Sequence, residues 1–187
     1  MSMQTTQYLS VILNELHQTV GLINDQEVEE FVDGIMQVRK IFVAGAGRSG
    51  FMIKSFAMRM MHIGLEAYAV GETITPRLEK EDLLIIASGS GETKSLVSMA
   101  KKAKDIEAKL SLVTINPEST IGKLAKPIVK LPGSPKEKEK SQYETIQPMA
   151  SLFEQTLLLL FDSVILKLME KKRLNSSTMF TRHANLE

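Results

Sequence analysis

Apolar residues first recur along the chain at the three- and four-residue spacing of helices. In the first twenty residues this spacing predicts an amphipathic helix with one buried stripe. The stripe consists of Leu9, Ile12, Leu13, Leu16 and Val20. A second amphipathic segment follows Asn24, a residue type that caps helices. The spacing then changes at Lys40–Ala44, a short apolar run ending in glycines, which predicts a buried parallel strand.

Helical and strand-like segments continue to alternate. Helices are predicted over Ser49–Ile63 and Thr93–Ile106. The further predicted strands are Glu66–Val70, Asp82–Ala87, Leu110–Ile115 and Ile128–Leu131, with a turn or short helix over Ile121–Leu124. Strands and helices joined by short links predict an α/β fold with a five-stranded, mostly parallel sheet covered by helices on both faces.

A long helix is predicted from Pro148 to about Lys172. It is apolar nearly all round between Leu152 and Met169. Such a helix lies either in the centre of a core or against another subunit, and its length favours both.

Two polar stretches complete the chain. Pro132–Ser141 alternates lysine and glutamate, and we expect a mobile, solvated loop. Asn175–Glu187 is a polar tail in which Ser176 or Ser177 can cap one more helical turn.

Composition narrows the possible functions. The 187 residues suit a single domain over 1–187, and the net charge of +1 gives no surface for wrapping nucleic acid. Without cysteine there is no disulfide scaffold, thiolate zinc site or cysteine nucleophile, and the three histidines are too scattered to predict a metal site. The longest apolar run, Leu157–Phe161, cannot cross a membrane, and no signal peptide is evident, so we expect a cytoplasmic protein.

The first candidate for chemistry is the glycine-rich sequence Gly45–Gly50. It follows a predicted strand, precedes a predicted helix and fits the G-x-G-x-x-G pattern of dinucleotide sites. Glu72 lies about 20 residues further on, where a ribose-binding acid is sought, but it falls beyond the end of the predicted strand. The alternative is a tight turn whose glycines only relieve crowding.

The second candidate is the loop Ser88–Thr93, which also joins a strand to a helix. Its three hydroxyls, two glycines and following helix N-terminus suit a phosphate monoester. The simpler interpretation is that Ser90 or Thr93 only caps the helix. The pattern of an ATP- or GTP-hydrolysing P-loop is absent.

Together the two loops resemble the sugar isomerase (SIS) domain family, whose members are α/β proteins that bind phosphosugars. Further segments resemble one group of ketose phosphate isomerases within it, so that the likeness covers essentially the whole chain. These segments are Ser55–Gly64, Thr114–Thr120, Leu131–Lys136, Gln147–Gln155 and Arg182–Glu187.

The resemblance implies an isomerase that interconverts 3-hexulose 6-phosphate and fructose 6-phosphate through a cis-enediol, in the ribulose monophosphate pathway of formaldehyde assimilation. It implies no cofactor and no metal. It further implies a homo-oligomer, a dimer of dimers, with active sites shared between subunits.

Glu154 is the candidate base for moving a proton between neighbouring carbons. Its position alone favours the simpler interpretation, a first-turn acid stabilised by the helix dipole. The resemblance favours catalysis, because SIS isomerases place a catalytic glutamate at the start of the matching helix. The expected substrate-binding residues are Gly47, Arg48, Ser49, Ser88, Gly89, Ser90 and Thr93.

Two of these assignments have competing structural interpretations. Arg48 can contact phosphate or stabilise enediolate charge, or it can be a surface residue paired with Glu72 or Glu92. Ser49 is expected first as a helix cap and second as a ligand.

The resemblance also makes two histidines candidates for acting on the sugar oxygens from a neighbouring chain. His62, near a helix end, is preferred over His183, which lies in the polar tail. The structural alternatives are a dipole or interface residue for His62 and a disordered end for His183.

Three rival functions remain open. The first is a binding module that senses phosphosugars without converting them. The second is an isomerase for heptulose 7-phosphate or arabinose 5-phosphate, and the third is a nucleotide-dependent oxidoreductase suggested by the first glycine loop alone.

Overall fold

A computed structural model describes residues 3–133 and 145–186. Its helices are α1 (Thr5–Val20), α2 (Asp25–Met36), α3 (Gly47–His62), α4 (Lys94–Asp105), α5 (Ser151–Lys172) and α6 (Ser176–Phe180). Its strands are β1 (Lys40–Gly45), β2 (Glu66–Ala69), β3 (Leu83–Ala87), β4 (Lys109–Thr114) and β5 (Ile128–Lys130). The five strands form one all-parallel sheet in the order β2-β1-β3-β4-β5. The predicted fold class is confirmed.

The strand order places a crevice between β1 and β3. These strands pair in register from Ile41 opposite Leu83 to Gly45 opposite Ala87, so they end level with each other. After β1 the chain crosses to one edge of the sheet, and after β3 it proceeds to the other. In open α/β sheets such a reversal leaves room for a ligand beyond the strand ends, and both glycine loops flank it here.

Helices cover both faces of the sheet and leave two separate cores. On one face α2, α3 and α5 pack over the sheet, with Phe56 and Phe161 stacked at a ring-centroid distance of 4.3 Å. On the other face, α4 contributes Leu96, Ala100 and Ala103 to a smaller core. The long α5 is therefore a core element, as its apolar sequence predicts.

The predicted burial of the α1 stripe is wrong for three of its five residues, while Ile12 and Leu16 are half-buried. Leu9, Leu13 and Val20 are 56%, 59% and 66% exposed. Among the described elements, α1 packs chiefly on α5, which covers only one side of it. Spacing correctly predicted an amphipathic helix, but spacing does not specify what covers its apolar face.

Two predicted caps also need correction. Ser49 does not cap α3, because the helix already begins at Gly47 and its N-cap residue is Ala46. At α6 the cap is Asn175, whose side chain accepts from the Thr178 amide, rather than Ser176 or Ser177. The predicted Asn24 cap of α2 is confirmed, with its side chain accepting from Gln26 N at 2.9 Å.

Most of the predicted mobile loop, from residue 134 onward, lies outside the described residues. In the part of the chain that the structure describes, no helix has the length and apolar character needed to cross a membrane.

Candidate functional site

A cleft of about 930 Å³ opens at the carboxyl ends of β1 and β3. Its walls come from the two glycine loops, the segment after β4 and the start of α5. The predicted site residues that line it are Gly47, Arg48, Ser49, Ser88, Gly89, Ser90, Thr93 and Glu154. The fold thus brings every predicted site residue except the histidines to one place.

The first loop is shaped by its glycines. Gly47 has φ +58°, a conformation that a side chain disfavours, although a Cβ there would meet no atom within 4 Å. Gly45 and Gly50 lie face to face, and a Cβ on Gly45 would come within 3.0 Å of the Gly50 Cα. Two of the three motif glycines therefore serve close packing between β1 and α3.

The second loop is braced by its own hydroxyls. Ser88, which is 4% exposed, accepts from the Gly91 amide at 3.1 Å. The Ser90 hydroxyl accepts from the Glu92 amide at 3.2 Å. A hydroxyl that accepts one hydrogen bond still has its own proton to donate, so both can hold the loop and also donate to an anion. Thr93 is the N-cap residue of α4 and makes no side-chain cap bond.

The neighbouring segment after β4 fixes this loop from the side. Gly91 has φ +66°, and a Cβ there would lie only 1.9 Å from the Ser119 Oγ. The Glu92 carboxylate accepts from the Thr120 amide at 2.7 Å, and this bond lowers the pKa of Glu92. The Gly89 carbonyl accepts from the Thr114 hydroxyl at 3.1 Å. The loop is therefore preorganised rather than free to reshape.

The Glu154 carboxylate lies in the first turn of α5 with its side chain 12% exposed. Arg48 Nη1 is 3.2 Å from its Oε2 and also donates to Ser151 Oγ at 3.0 Å. A nearly buried carboxylate and a guanidinium thus face each other inside the cleft. Such a pair can supply a proton acceptor and a positive charge to one small substrate.

The structural alternative, in which Arg48 pairs with Glu72 or Glu92, is wrong. Glu72 instead pairs with Lys54 at 2.6 Å, outside the residues that line the cleft. Glu92 is engaged by the Thr120 amide. Because Glu72 does not reach the cleft, the ribose-binding role considered for a dinucleotide site has no support in the geometry.

The two candidate histidines lie together at the far end of α3. Their rings stack with centroids 5.4 Å apart, and His62 is 4% exposed. Burial, then Arg59 and His183, lower the pKa of His62. The rise of α3 puts His62 roughly 21 Å from Arg48. The same chain therefore does not bring either histidine to its own cleft.

Sequence reasoning missed several residues of the cleft. Asn116 follows β4, and Lys130 ends β5. A third missed residue, Ser151, does not line the cleft but receives the Arg48 hydrogen bond. The first two could have been found by applying the strand-end rule to every predicted strand rather than to the glycine-rich ones. Among the described residues, no three His, Asp or Glu side chains are arranged to hold a metal ion.

Comparison with known proteins assigns the family. The family model described as the SIS domain matches residues 34–160. The chain belongs to the SIS domain family. Its two glycine loops and the start of α5 all fall within the matched region.

Individual SIS relatives are similar over nearly their full length. A Bacillus subtilis protein named 3-hexulose-6-phosphate isomerase is 59% identical over 185 residues, covering 99% of this chain and 100% of the relative. A Mycobacterium gastri protein of the same name is 37% identical, covering 97% and 91%. A crystal structure from Methanococcus jannaschii, inferred to have that function, superposes with a TM-score of 0.82 at 34% identity, covering 97% and 99%.

Proposed function

We propose that this protein interconverts 3-hexulose 6-phosphate and fructose 6-phosphate. The observation that carries the proposal is the position of Glu154, in one cleft with the Ser88–Thr93 loop and beside Arg48. The proposal draws its substrate from the names of the full-length relatives. The reaction moves a carbonyl from C3 to C2 of a chain that carries phosphate at C6.

Glu154 is the proposed carbon base. It removes the C2 proton of 3-hexulose 6-phosphate, and the electron pair of that bond forms a C2–C3 double bond while O3 takes the negative charge. One proton passes from O2 to O3 through the enediol, and Glu154 returns its proton to C3, which leaves the carbonyl at C2. Protons and electrons balance within the sugar, so the chemistry of these steps calls for no redox partner.

The phosphate is assigned to the second loop. Ser90 and Thr93 lie at the start of α4, where the helix N-terminus favours an anion, and Ser88 supports the turn from below. Because Gly89 has no side chain, the phosphate can approach its backbone closely.

The sugar is assigned to the first loop. Gly47 and Ser49 form the wall of the cleft there, and Arg48 stabilises negative charge on the enediolate oxygen.

We propose that the protein is a homo-oligomer, a dimer of dimers, that shares its active sites between subunits. Large apolar side chains on three helices are exposed in the single chain: Leu9, Leu13 and Val20 on α1, Phe51 and Met58 on α3, and Leu159 and Leu166 on α5. Because α1 and α3 each pack on α5, these exposed side chains lie on adjoining helices, and exposed apolar surface favours association. In such an assembly His62, with His183 beside it, would serve the O2 and O3 proton transfer in a neighbouring cleft.

The proposal also covers the extent of the functional domain and the compartment in which the protein works. We propose that residues 1–187 act as one SIS-type unit, since α1 and α2 pack on α5 within it. We propose the cytoplasm as the compartment, because a sugar phosphate is strongly charged and does not cross a bilayer unaided.

The deciding experiment is turnover of 3-hexulose 6-phosphate by the purified full chain, with fructose 6-phosphate followed by a coupled assay and no metal added. Conversion is the expected result. Tight binding without conversion would instead make the protein a phosphosugar-binding module. Faster conversion of arabinose 5-phosphate or heptulose 7-phosphate would reassign its substrate.

A further inference from the structure

A carboxylate on α1 holds the segment that leads into α5. Glu15 Oε2 accepts from the Thr145 hydroxyl at 2.7 Å and from Gln147 Nε2 at 2.8 Å, and its Oε1 accepts from the Ile146 amide at 2.9 Å. Three consecutive residues thus converge on one side chain from more than a hundred positions away in sequence. The arrangement is a carboxylate clamp, formed by Glu15 and residues 145–147.

The clamp is partly buried and charged. Gln147 is 4% exposed and Glu15 is half-buried, whereas the Ile146 side chain is 54% exposed. Burial of Glu15 opposes ionisation, but the hydrogen bonds from Gln147, Thr145 and Ile146 together outweigh it and hold the pKa of Glu15 below its ordinary value. Hydrogen bonds to an ionised group are stronger than bonds between neutral groups. The segment 145–147 is therefore fixed by strong bonds rather than by surface contacts.

From the clamp the chain runs directly into the active cleft. The Pro148 carbonyl accepts from the Ser151 hydroxyl at 2.8 Å, and Met149 has φ +60°. Ser151 in turn accepts from Arg48, which pairs with Glu154. A shift of residues 145–147 would therefore move the first turn of α5, where Glu154 and the support of Arg48 both lie.

We propose that Glu15 is a positioning residue for the isomerase reaction: its clamp on residues 145–147 sets the place of Glu154 and of Ser151 beneath Arg48. The inference rests on the proposed function, since it explains how the proposed base is held. Glu15 itself does not line the cleft. The phosphate loop lies between β3 and α4, and its hydrogen bonds described above are made within the loop and to β4 and the segment after it, not to residues 145–147.

The test compares Glu15→Ala with Glu15→Gln and with a matched control on the same helix, Gln18→Ala, whose side chain is exposed. Misplacing a catalytic group by about 1 Å can cost about 100-fold in rate, so we expect kcat of Glu15→Ala to fall by about tenfold or more. The dissociation constant of glucitol 6-phosphate, which has no carbonyl to isomerise, should change by less than about twofold. The control Gln18→Ala should keep the wild-type kcat. Because Glu15→Gln keeps one acceptor oxygen, its kcat should lie between those of Glu15→Ala and the wild type.

A second measurement does not depend on activity. In Glu15→Ala, amide hydrogen exchange over residues 145–151 should accelerate while residues 88–93 keep their wild-type rates. Unchanged exchange over residues 145–151 overturns the inference, whether or not the wild-type chain converts sugar phosphates. A wild-type chain that converts no sugar phosphate would reject only the proposed function.

Two activity results also overturn the inference. The first is a wild-type kcat in Glu15→Ala. The second is a fall in kcat matched by an equal loss of glucitol 6-phosphate affinity, which would indicate general disruption of the fold. If Glu15→Ala does not fold, Glu15→Gln and Thr145→Val carry the test, and wild-type kcat in both overturns it.

Discussion

Arg48 and Glu154 join the first turns of two helices across the cleft, with 3.2 Å between Nη1 and Oε2. The Arg48 side chain is 48% exposed, so solvent screens the pair and its contribution to folding is small, about 0–1 kcal/mol. The pair matters chiefly because it positions two side chains for the proposed catalysis. It holds a base and a positive charge at a separation that one enediolate can span.

Replacement of Glu154 by glutamine should abolish proton transfer and keep the shape of the site. Loss of a general base typically costs about 10²–10⁴-fold in rate, and we expect a loss of that size in kcat. Glucitol 6-phosphate should still bind, because the phosphate loop is untouched. Asp162→Asn, at an exposed position on the same helix, is the control. Near-normal turnover by Glu154→Gln would remove Glu154 from the mechanism.

Arg48→Met should lower kcat by at least about tenfold, because it removes the cation proposed to stabilise the enediolate. Arg48→Lys should recover only part of the loss, since an ammonium cannot reproduce the planar guanidinium that contacts both Glu154 and Ser151. Steady-state kinetics on both variants measure this, with the distant, exposed Arg39→Met as control. Full activity in Arg48→Lys would mean that charge alone suffices.

Ser90→Ala should weaken phosphosugar binding and leave kcat largely unchanged. A hydrogen bond to a charged group is worth about 1.5–3 kcal/mol, which corresponds to roughly a tenfold or greater rise in the dissociation constant. Calorimetric titration with glucitol 6-phosphate measures it. Ser98→Ala, exposed on the same helix α4, should bind as the wild type does. Equal affinities in the two variants would place the phosphate elsewhere.

Two glycines allow backbone strain to be separated from steric collision. Gly47→Ala places a side chain at φ +58° in open space, so we expect a loss of about 1–2 kcal/mol in the free energy of unfolding. Gly91→Ala adds a collision with Ser119 to a similar φ and should cost more. Urea unfolding gives both values. In a Ser119→Gly background, which lacks both the Oγ and the Cβ that the new methyl would meet, the loss caused by Gly91→Ala should be smaller than in the wild type, and an equal loss would contradict the collision.

His62 should make stability depend on pH. Burial, Arg59 and His183 lower its pKa in the folded chain from the ordinary value of 6.5, so unfolding takes up a proton below that pH. As the pH falls below 6.5, His62 therefore lowers the free energy of unfolding. Above that pH this effect disappears. In urea unfolding at fixed protein concentration, His62→Phe should flatten this dependence, and Arg59→Gln should reduce it. An unchanged slope in His62→Phe would contradict the expectation.

The sequence predicted the sheet and the cleft well because both depend on local pattern. Each strand is a short apolar run, and each glycine loop lies between a strand and a helix, so the strand-end rule placed Ser88 and Arg48 at one edge of the sheet. The catalytic role of Glu154 came from the family resemblance, since its first-turn position alone favoured a helix-dipole role.

Contacts between distant parts of the chain could not be predicted. Nothing in the spacing of α1 shows that Leu9 and Leu13 are left exposed, or that Glu15 reaches residues 145–147. Such contacts arise from tertiary packing, which the pattern of a single sequence does not reveal. The same is true of the pairing of Arg48 with Glu154 rather than with Glu72 or Glu92.

The close approach of Gly45 and Gly50 has a consequence for how such loops are interpreted. A signature associated with nucleotide cofactors arises here from steric demand where a strand meets the next helix. The G-x-G-x-x-G pattern can therefore arise independently wherever a strand of a parallel sheet is joined tightly to the next helix. In this chain the first loop therefore does not by itself indicate a nucleotide cofactor, and the hydroxyls suited to a phosphate group are concentrated in the second loop.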